Sequence, residues 1–517
     1  MQNVLPLPRR GIFWFFVVGL SLALTAHAER INQEGRLLGP APVVTNVLLF
    51  NTTNADAVVS ALQILPLTNP WNEDISRRPL LANSAAMIAQ ITNDLAANRQ
   101  TLRLFKEMNF ALVPDDQPLR PVDFLDYPDE SDLNGGTFPV GLYPVPDNLP
   151  IETWPSETGG QTLDQWQQND DGSDRHAIIV QPGAGRLFET WRTVRTGTNW
   201  SAANGAMFNL NTNALRPAGW TSGDAAGLPM FPALVRFDEC ERGMVEHAMR
   251  LVVKRTRYGT NLYPATHYAA PGTNTSANLP MMGQRLRLKS AFVINPAWTV
   301  EEQAVLLGLK KYGALVADNG NFFSISVTPD DRWPAGCFDH LSTIGITNFE
   351  VVQATGPTEG PRSPGAPTVN AGADQTVVAG LTATLAGAVT FSNLAPAVQW
   401  TLYAGPGTAT FGDARQTNTT VTFGGPGQYT LLLSADDGVH AVARDAVVIT
   451  VAPAIALALR PAGNQLELTW TGGTAPFVVE RSPGLSPAEW TPWTTSNVPD
   501  VSLPLDAARA FFRVRGE

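Results

Sequence analysis

Cysteine is almost absent from this chain: Cys240 and Cys337 are the only two in 517 residues. Neither lies in a CxxC pair, which argues against a thiolate zinc site. What is left is one bridge formed in an oxidising compartment, or two unpaired thiols. Charge is sparse at 16% and acidic in balance, −11 overall. Such a surface argues against nucleic acid and anionic membranes as partners, although a basic cleft can still sit within it. Several enzyme signatures are also missing: no GxSxG elbow, no GxxxxGK[ST] loop, no GxGxxG after a strand, no HExxH and no CxxCH. Nucleotide chemistry, hydride transfer and zincin proteolysis are thereby set aside. Internal repeats and low-complexity tracts are missing as well.

Long apolar runs are confined to the N-terminus. Arg9 and Arg10 precede an apolar stretch from Gly11 to Thr25, and Ala26-His27-Ala28 offers small residues at a cleavage position. The stretch is shorter than the roughly 20 residues of a spanning helix, which favours a cleaved secretory leader over residues 1–28 rather than a membrane anchor. The mature chain is then expected to be secreted, with no integral membrane segment, and monomeric.

A chain this long exceeds the roughly 250–300 residues of a single core. Composition breaks it at the Pro/Gly-rich run of residues 356–366 and again near Pro453. The expected units are a large domain over 29–355, a module over 367–453 and a smaller one over 454–517. The fold class expected is mainly β: a large β-sandwich or jelly-roll-like domain with a few helices, then two small β-sandwich modules. Helices are expected over 84–98, with Ser84 as N-cap, and over 299–312, where Thr299 and Glu302 form a capping box. Residues 314–317 and 322–327, joined through Asp318-Asn319-Gly320-Asn321, read as a hairpin.

Regularly spaced short strands between 367 and 453 suggest an immunoglobulin-type sandwich with Trp400 in its core. The segments VNAGADQTVVAG and YTLLLSADDG resemble PKD-type and related Ig-like modules of secreted bacterial proteins. That resemblance implies a spacer or binding module. Residues 454–517, with Trp470, Trp490 and Trp493, resemble a fibronectin-like C-terminal module. Its tryptophans could stack on sugar or simply pack its core. The large domain, through blocks such as NPWNEDIS, NALRPAGWTSGDAAGLP, HAMRLVV, PATHYA and LKKYGALVADNG, resembles an uncharacterised family of secreted bacterial proteins. That family implies no activity and does not carry Cys240 and Cys337 as cysteines.

Candidate chemistry concentrates between Leu215 and His267. His176, His247 and His267 could act as acid or base, or as a metal triad if the fold gathers them, since they lack short ligand spacing. Tyr268 and Asp224 complete the catalytic candidates. Arg250, Trp220 and Tyr263 join Arg285, Arg287 and Lys289 as candidate substrate contacts. The last three alternate with leucine and project from one strand face. A cleft built from them would suit an acidic sugar, whereas a solvated outer face is the alternative. Asp224, Asp238, Glu239 and Asp318 could supply the two carboxylates of glycoside hydrolysis. Two acidic loops, residues 126–132 and Asp170, Asp171 and Asp174, could hold structural calcium or stand as solvated turns.

The expectation is a secreted carbohydrate-active protein whose partner is an extracellular glycan, cleaved by hydrolysis or β-elimination. The alternative is a non-catalytic glycan-binding or adhesive cell-surface protein. No cofactor is firmly implied.

Overall fold

The structure, a computed structural model, describes residues 30–516 apart from 474, 487–488 and 505–509. The leader expected over 1–28 lies outside the described residues. Among those described, no helix is long and apolar enough to cross a membrane.

The chain is mainly β, with a few short helices and several sandwich-like sheets. In the N-terminal part three sheets stack in layers. The middle layer has five strands: Leu48–Leu49, Ala111–Leu112, Ala177–Gln181, Arg186–Trp191 and Asn204–Asn209. Its Ala177–Gln181 strand is an unbroken buried run because both faces are covered. Ile178 and Val180 point into one core and Ala177 and Ile179 into another, following the two-residue period of a strand. On the second side lies a four-stranded sheet that includes Arg120–Phe124, Val140–Tyr143 and Asn199–Ala202. Phe124, Tyr143 and Phe188 meet edge to face between the two layers.

The first side faces a six-stranded mixed sheet in the order Phe349–Val351, Arg285–Leu288, Ala314–Asn319, Met249–Val253, Phe323–Val327 and Leu102–Lys106. The expected hairpin does not form. Met249–Val253 lies between the two strands, parallel to Ala314–Asn319 and antiparallel to Phe323–Val327. Both strands bury nearly every residue, so each needs a neighbour on either edge, and the short connection over 320–322 spans the inserted strand. The register of the parallel pair slips at Ala317, with Leu251 opposite Val316 and Val252 opposite Asp318. A bulge of this kind re-aims the side chains beyond it.

The helix Val300–Lys311 begins with the expected capping box, both reciprocal Thr299–Glu302 bonds being present. The helix Ser84–Asn93 is shorter than expected, and its N-cap is Asn83. Ser84 is drawn inside the helix because its hydroxyl accepts the Val351 N–H at 2.8 Å.

The run 356–366 is not slack. It contains a turn at Gly360–Arg362, with Pro361 buried. Arg362 reaches Glu73 at 3.1 Å and covers the ring of Tyr263. Beyond it, Gln375–Val378, Ala397–Ala404, Gly427–Asp436 and Ala443–Ala452 form one sheet against a three-stranded second. Trp400, 1% exposed, fills the core as expected. Strands from Ala456 to Gly516 form two further three-stranded sheets. There Trp470 is buried, Trp493 packs against the core and Trp490 lies beneath Arg513, so the three tryptophans do not make one sugar-stacking face.

Tyr429 is fully buried, yet its hydroxyl donates to the Gly425 carbonyl at 2.9 Å. Tyr429→Phe leaves that carbonyl unpaired and removes about 1 kcal/mol. The calorimetric transition of the 367–453 unit should therefore fall by several degrees while that of the large domain holds. An unmoved transition would deny the bond this role.

Candidate functional site

Between the sheets of the large domain opens a cavity of about 320 Å³. Its walls include Tyr127, Asp174, His176, Trp191, His267 and Asp318. The loop over 221–228 forms one wall. It is closed on itself by Ser222, whose hydroxyl accepts the Asp224 N–H at 2.9 Å and donates to the Leu228 carbonyl at 2.7 Å. Gly227 sits at φ +70, and a Cβ there would meet Thr266 and the Trp220 carbonyl, so only glycine serves. The loop then ties to the six-stranded sheet at the bulge, where the Ala226 N–H donates to the Ala317 carbonyl at 3.0 Å.

The bulge also delivers Asp318 to Arg250. Arg250, 3% exposed, forms a fork on Asp224, with Nε to Oδ2 and Nη2 to Oδ1 each at 3.0 Å. Its Nη2 also reaches Asp318 at 2.7 Å, and Nη1 reaches Ser326 at 3.3 Å. The Ser326 hydroxyl in turn donates to Glu107 at 3.0 Å. Burial pushes the Asp224 carboxyl up to about 6 against the pull of Arg250, so it remains an anion at neutral pH. Burial, with the Glu152 charge beside it, pushes Glu107 up to about 7.

His176 forms the second buried pair. Nδ1 faces the Glu152 carboxylate and Nε2 the Gly223 carbonyl, both at 2.8 Å. Both partners are acceptors, so both nitrogens donate and the ring is an imidazolium. Burial works against that charge, but Glu152 outweighs it and lifts the pKa to about 9. The same pairing overcomes burial at Glu152 and lowers its pKa. With both nitrogens committed, His176 is a fixed cation of the wall rather than a mobile proton carrier. His267 differs: Nδ1 donates to the Ala225 carbonyl at 2.7 Å, and Nε2 remains available.

The other candidates scatter. His247 faces the Ala248 carbonyl and Glu239 in a separate buried cluster with Arg236. Within that cluster Glu239 is held down to about 2, Arg236 and His247 outweighing burial. Asp238 pairs with Arg242. The three histidines therefore form no metal triad. Among the described residues no group of three or more His, Cys, Asp or Glu is placed to hold a metal ion. Arg285 and Arg287 do not project into a cleft, and Met249–Val253 is not their neighbour, Ala314–Asn319 lying between. Both arginines are buried. Arg285 donates to the carbonyls of Pro70, Glu73 and Tyr312, and Arg287 to Glu350 and to the carbonyls of Ile75, Ser76 and Arg78. They serve as clamps on the segment 70–78. Lys289 donates to the Thr347 carbonyl at the surface.

Tyr263 lies under Arg362, and Trp220 under Arg216. Tyr268 stacks on His267, 5.9 Å between ring centres. In the acidic loops, Asp126 pairs with Arg192 and Asp132 with Arg216. Asp170 and Asp171 accept N–H groups of their own turn. Asp174 takes the Trp191 indole N–H at 3.1 Å. Cys240 and Cys337 are buried free thiols.

Several groups in the cavity wall or buried behind it had no motif to announce them. Tyr127 and Trp191 stand 5.8 Å apart at 36°. Glu107 and Glu152 lie in irregular segments. Glu189 alone carries a readable sign, a carboxylate inside an otherwise apolar strand. It is fully buried, accepts the N–H groups of Met230 and Phe231, and is pushed by burial up to about 7.

Two outcomes follow. Arg250→Met strands Asp224 and Asp318 without a counter-charge and should cost about 3–5 kcal/mol in denaturant unfolding of the large domain. The pH dependence is the second. Glu107, Glu189 and Asp224 keep protons in the folded state that the unfolded chain has already lost, which lowers stability as pH rises between about 4 and 7. His176 stabilises fully below its ordinary 6.5 and loses that contribution as pH rises through about 9. Glu152, depressed, acts the other way and withdraws its share only as pH falls through its folded value. Thermal midpoints should therefore peak in mildly acidic buffer and decline toward pH 9. The segment of decline above 6.5 should flatten in Glu152→Gln.

One family model and several solved structures resemble part of the chain. A PKD-domain family model matches residues 371–451. No curated protein matches the chain. The solution structure of the PKD domain from KIAA 1837 protein is 21% identical, covering 18% of this chain and 91% of that one, with a TM-score of 0.15. For the PKD domain from human KIAA0319 the values are 19%, 22%, 99% and 0.17. For the N-terminal eight Ig domains of Down Syndrome Cell Adhesion Molecule they are 16%, 22%, 19% and 0.17. The family match is thus PKD-like, over residues 371–451.

Proposed function

We propose that this chain is a non-catalytic glycan-binding or adhesive protein of the cell surface or extracellular space, with the large-domain cavity as its sugar site. The observation that carries this reading is the pairing of an aromatic wall, Tyr127 and Trp191, with a polar one, Asp174, Asp318, Asn319, Thr221 and Ser222. A pyranose presents an apolar C–H face and a rim of hydroxyls, and the two walls match those two surfaces. The groups best suited to chemistry, Arg250 and His176, have their donors committed to internal partners. Export rests on the leader-like composition of the first 28 residues. The PKD-like unit, and the fibronectin-like reading of the last segment, fit the spacer modules of surface proteins by analogy alone.

Cleavage of a polysaccharide is the second reading, favoured by the free Nε2 of His267 and the partly exposed Asp318 on one cavity. Of its two forms hydrolysis is the better supported, because among the described residues no lysine or arginine lines the cavity to neutralise a uronate for β-elimination.

Retention on a panel of immobilised polysaccharides tests the reading. At least one should retard the intact protein without release of reducing ends or unsaturated product. Trp191→Ala should weaken that retention about fivefold, the stacking on one ring being worth about 1 kcal/mol. Product release would move the assignment to the second reading, and passage through every matrix would reject both.

A further inference from the structure

The charges around the cavity narrow its ligand, given the glycan-binding reading above. Two carboxylates line it, Asp174 and Asp318. Asp174 is exposed, and among the described residues its one hydrogen bond with a side chain is to the neutral Trp191 indole N–H. Asp318 shares a single guanidinium with Asp224, so that cluster carries two anions to one cation. The other cation in the wall, His176, is matched by Glu152.

Nearby arginines bring no relief. Arg175 is buried and turned toward the Thr193 and Trp166 carbonyls, Arg192 pairs with Asp126, and Arg216 pairs with Asp132. The cavity thus holds an uncompensated negative charge beside an aromatic pair whose π faces also attract cations. A uronate or sulfated sugar would be repelled, and an N-acetylated one would offer the carboxylates only neutral N–H and O–H donors, without the charge assistance of an ammonium.

We infer that the cavity selects a glycan bearing free amino groups, a deacetylated hexosamine polymer, whose ammonium sits against Asp174 and Asp318 while its ring stacks on Trp191 or Tyr127.

The test is calorimetric titration of the full chain with glucosamine oligomers, N-acetylglucosamine oligomers and galacturonate oligomers of equal length. The amino form should bind about tenfold more tightly than the acetylated form at low salt, and the ratio should shrink as ionic strength rises. The galacturonate should be the weakest. Asp174→Asn, at an exposed position, should lower the amino-to-acetyl ratio several-fold while circular dichroism remains that of the parent. Equal affinity for amino and acetylated oligomers, or a preference for galacturonate, would overturn this inference and leave the glycan-binding reading in place. Failure of all three oligomers, alongside retention on a different polysaccharide, would overturn it as well. Failure against every glycan removes the underlying reading.

Discussion

Arg250 carries a full charge into the middle of the large domain, and much of the surrounding structure exists to accommodate it. A buried guanidinium is tolerable only when its donors meet matched acceptors. Those acceptors come from three places: the 221–228 loop gives Asp224, the bulged end of Ala314–Asn319 gives Asp318, and Phe323–Val327 gives Ser326. The loop can supply Asp224 only because Gly227 lets the chain turn beneath Thr266, and because Ser222 closes the loop from within. The slip in register at Ala317 is part of the same solution, since it turns Asp318 toward Arg250 and frees a carbonyl for Ala226.

That arrangement divides the polar groups of the site into two kinds. Arg250, His176, Glu152 and Asp224 are satisfied by one another and give the cavity its shape. Tyr127, Trp191, Asp174, Asp318 and His267 face the open space. A strongly polar interior therefore does not by itself announce chemistry: burial and close pairing displace the pKa values of these groups, and the same burial and pairing leave them little freedom to act.

Much of the fold was legible in the sequence. The capping box at Thr299 and Glu302, the core role of Trp400 and the alternation of the later strands all rest on local rules, and local rules survive folding. What was not legible depended on long-range pairing. Residues 314–327 read as a hairpin because a short polar loop joins two β runs, yet nothing local reveals that Met249–Val253 enters between them. Arg285 and Arg287 alternate with leucine like a solvent-facing stripe. They are instead buried clamps, since several of the carbonyls that satisfy them come from residues about two hundred positions earlier. At the site, His176, His267, Asp174, Asp224, Asp318 and Arg250 were identifiable by residue type. Tyr127 and Trp191 were not, because an aromatic in a strand or turn looks the same whether it fills a core or borders a cavity.

The anchored linker has a mechanical side. Arg362 holds the run 356–366 to Glu73 and lies over Tyr263, while Arg444 donates to the Gln33 carbonyl and the Tyr403 hydroxyl accepts the Leu37 N–H. Tyr263 stands four positions before His267 on the same stretch of chain. Tension passed from the 367–453 unit to the large domain would find the run 356–366 already anchored. It would load the Arg362 anchor and, through Tyr263, the stretch of chain that carries His267 into the cavity wall.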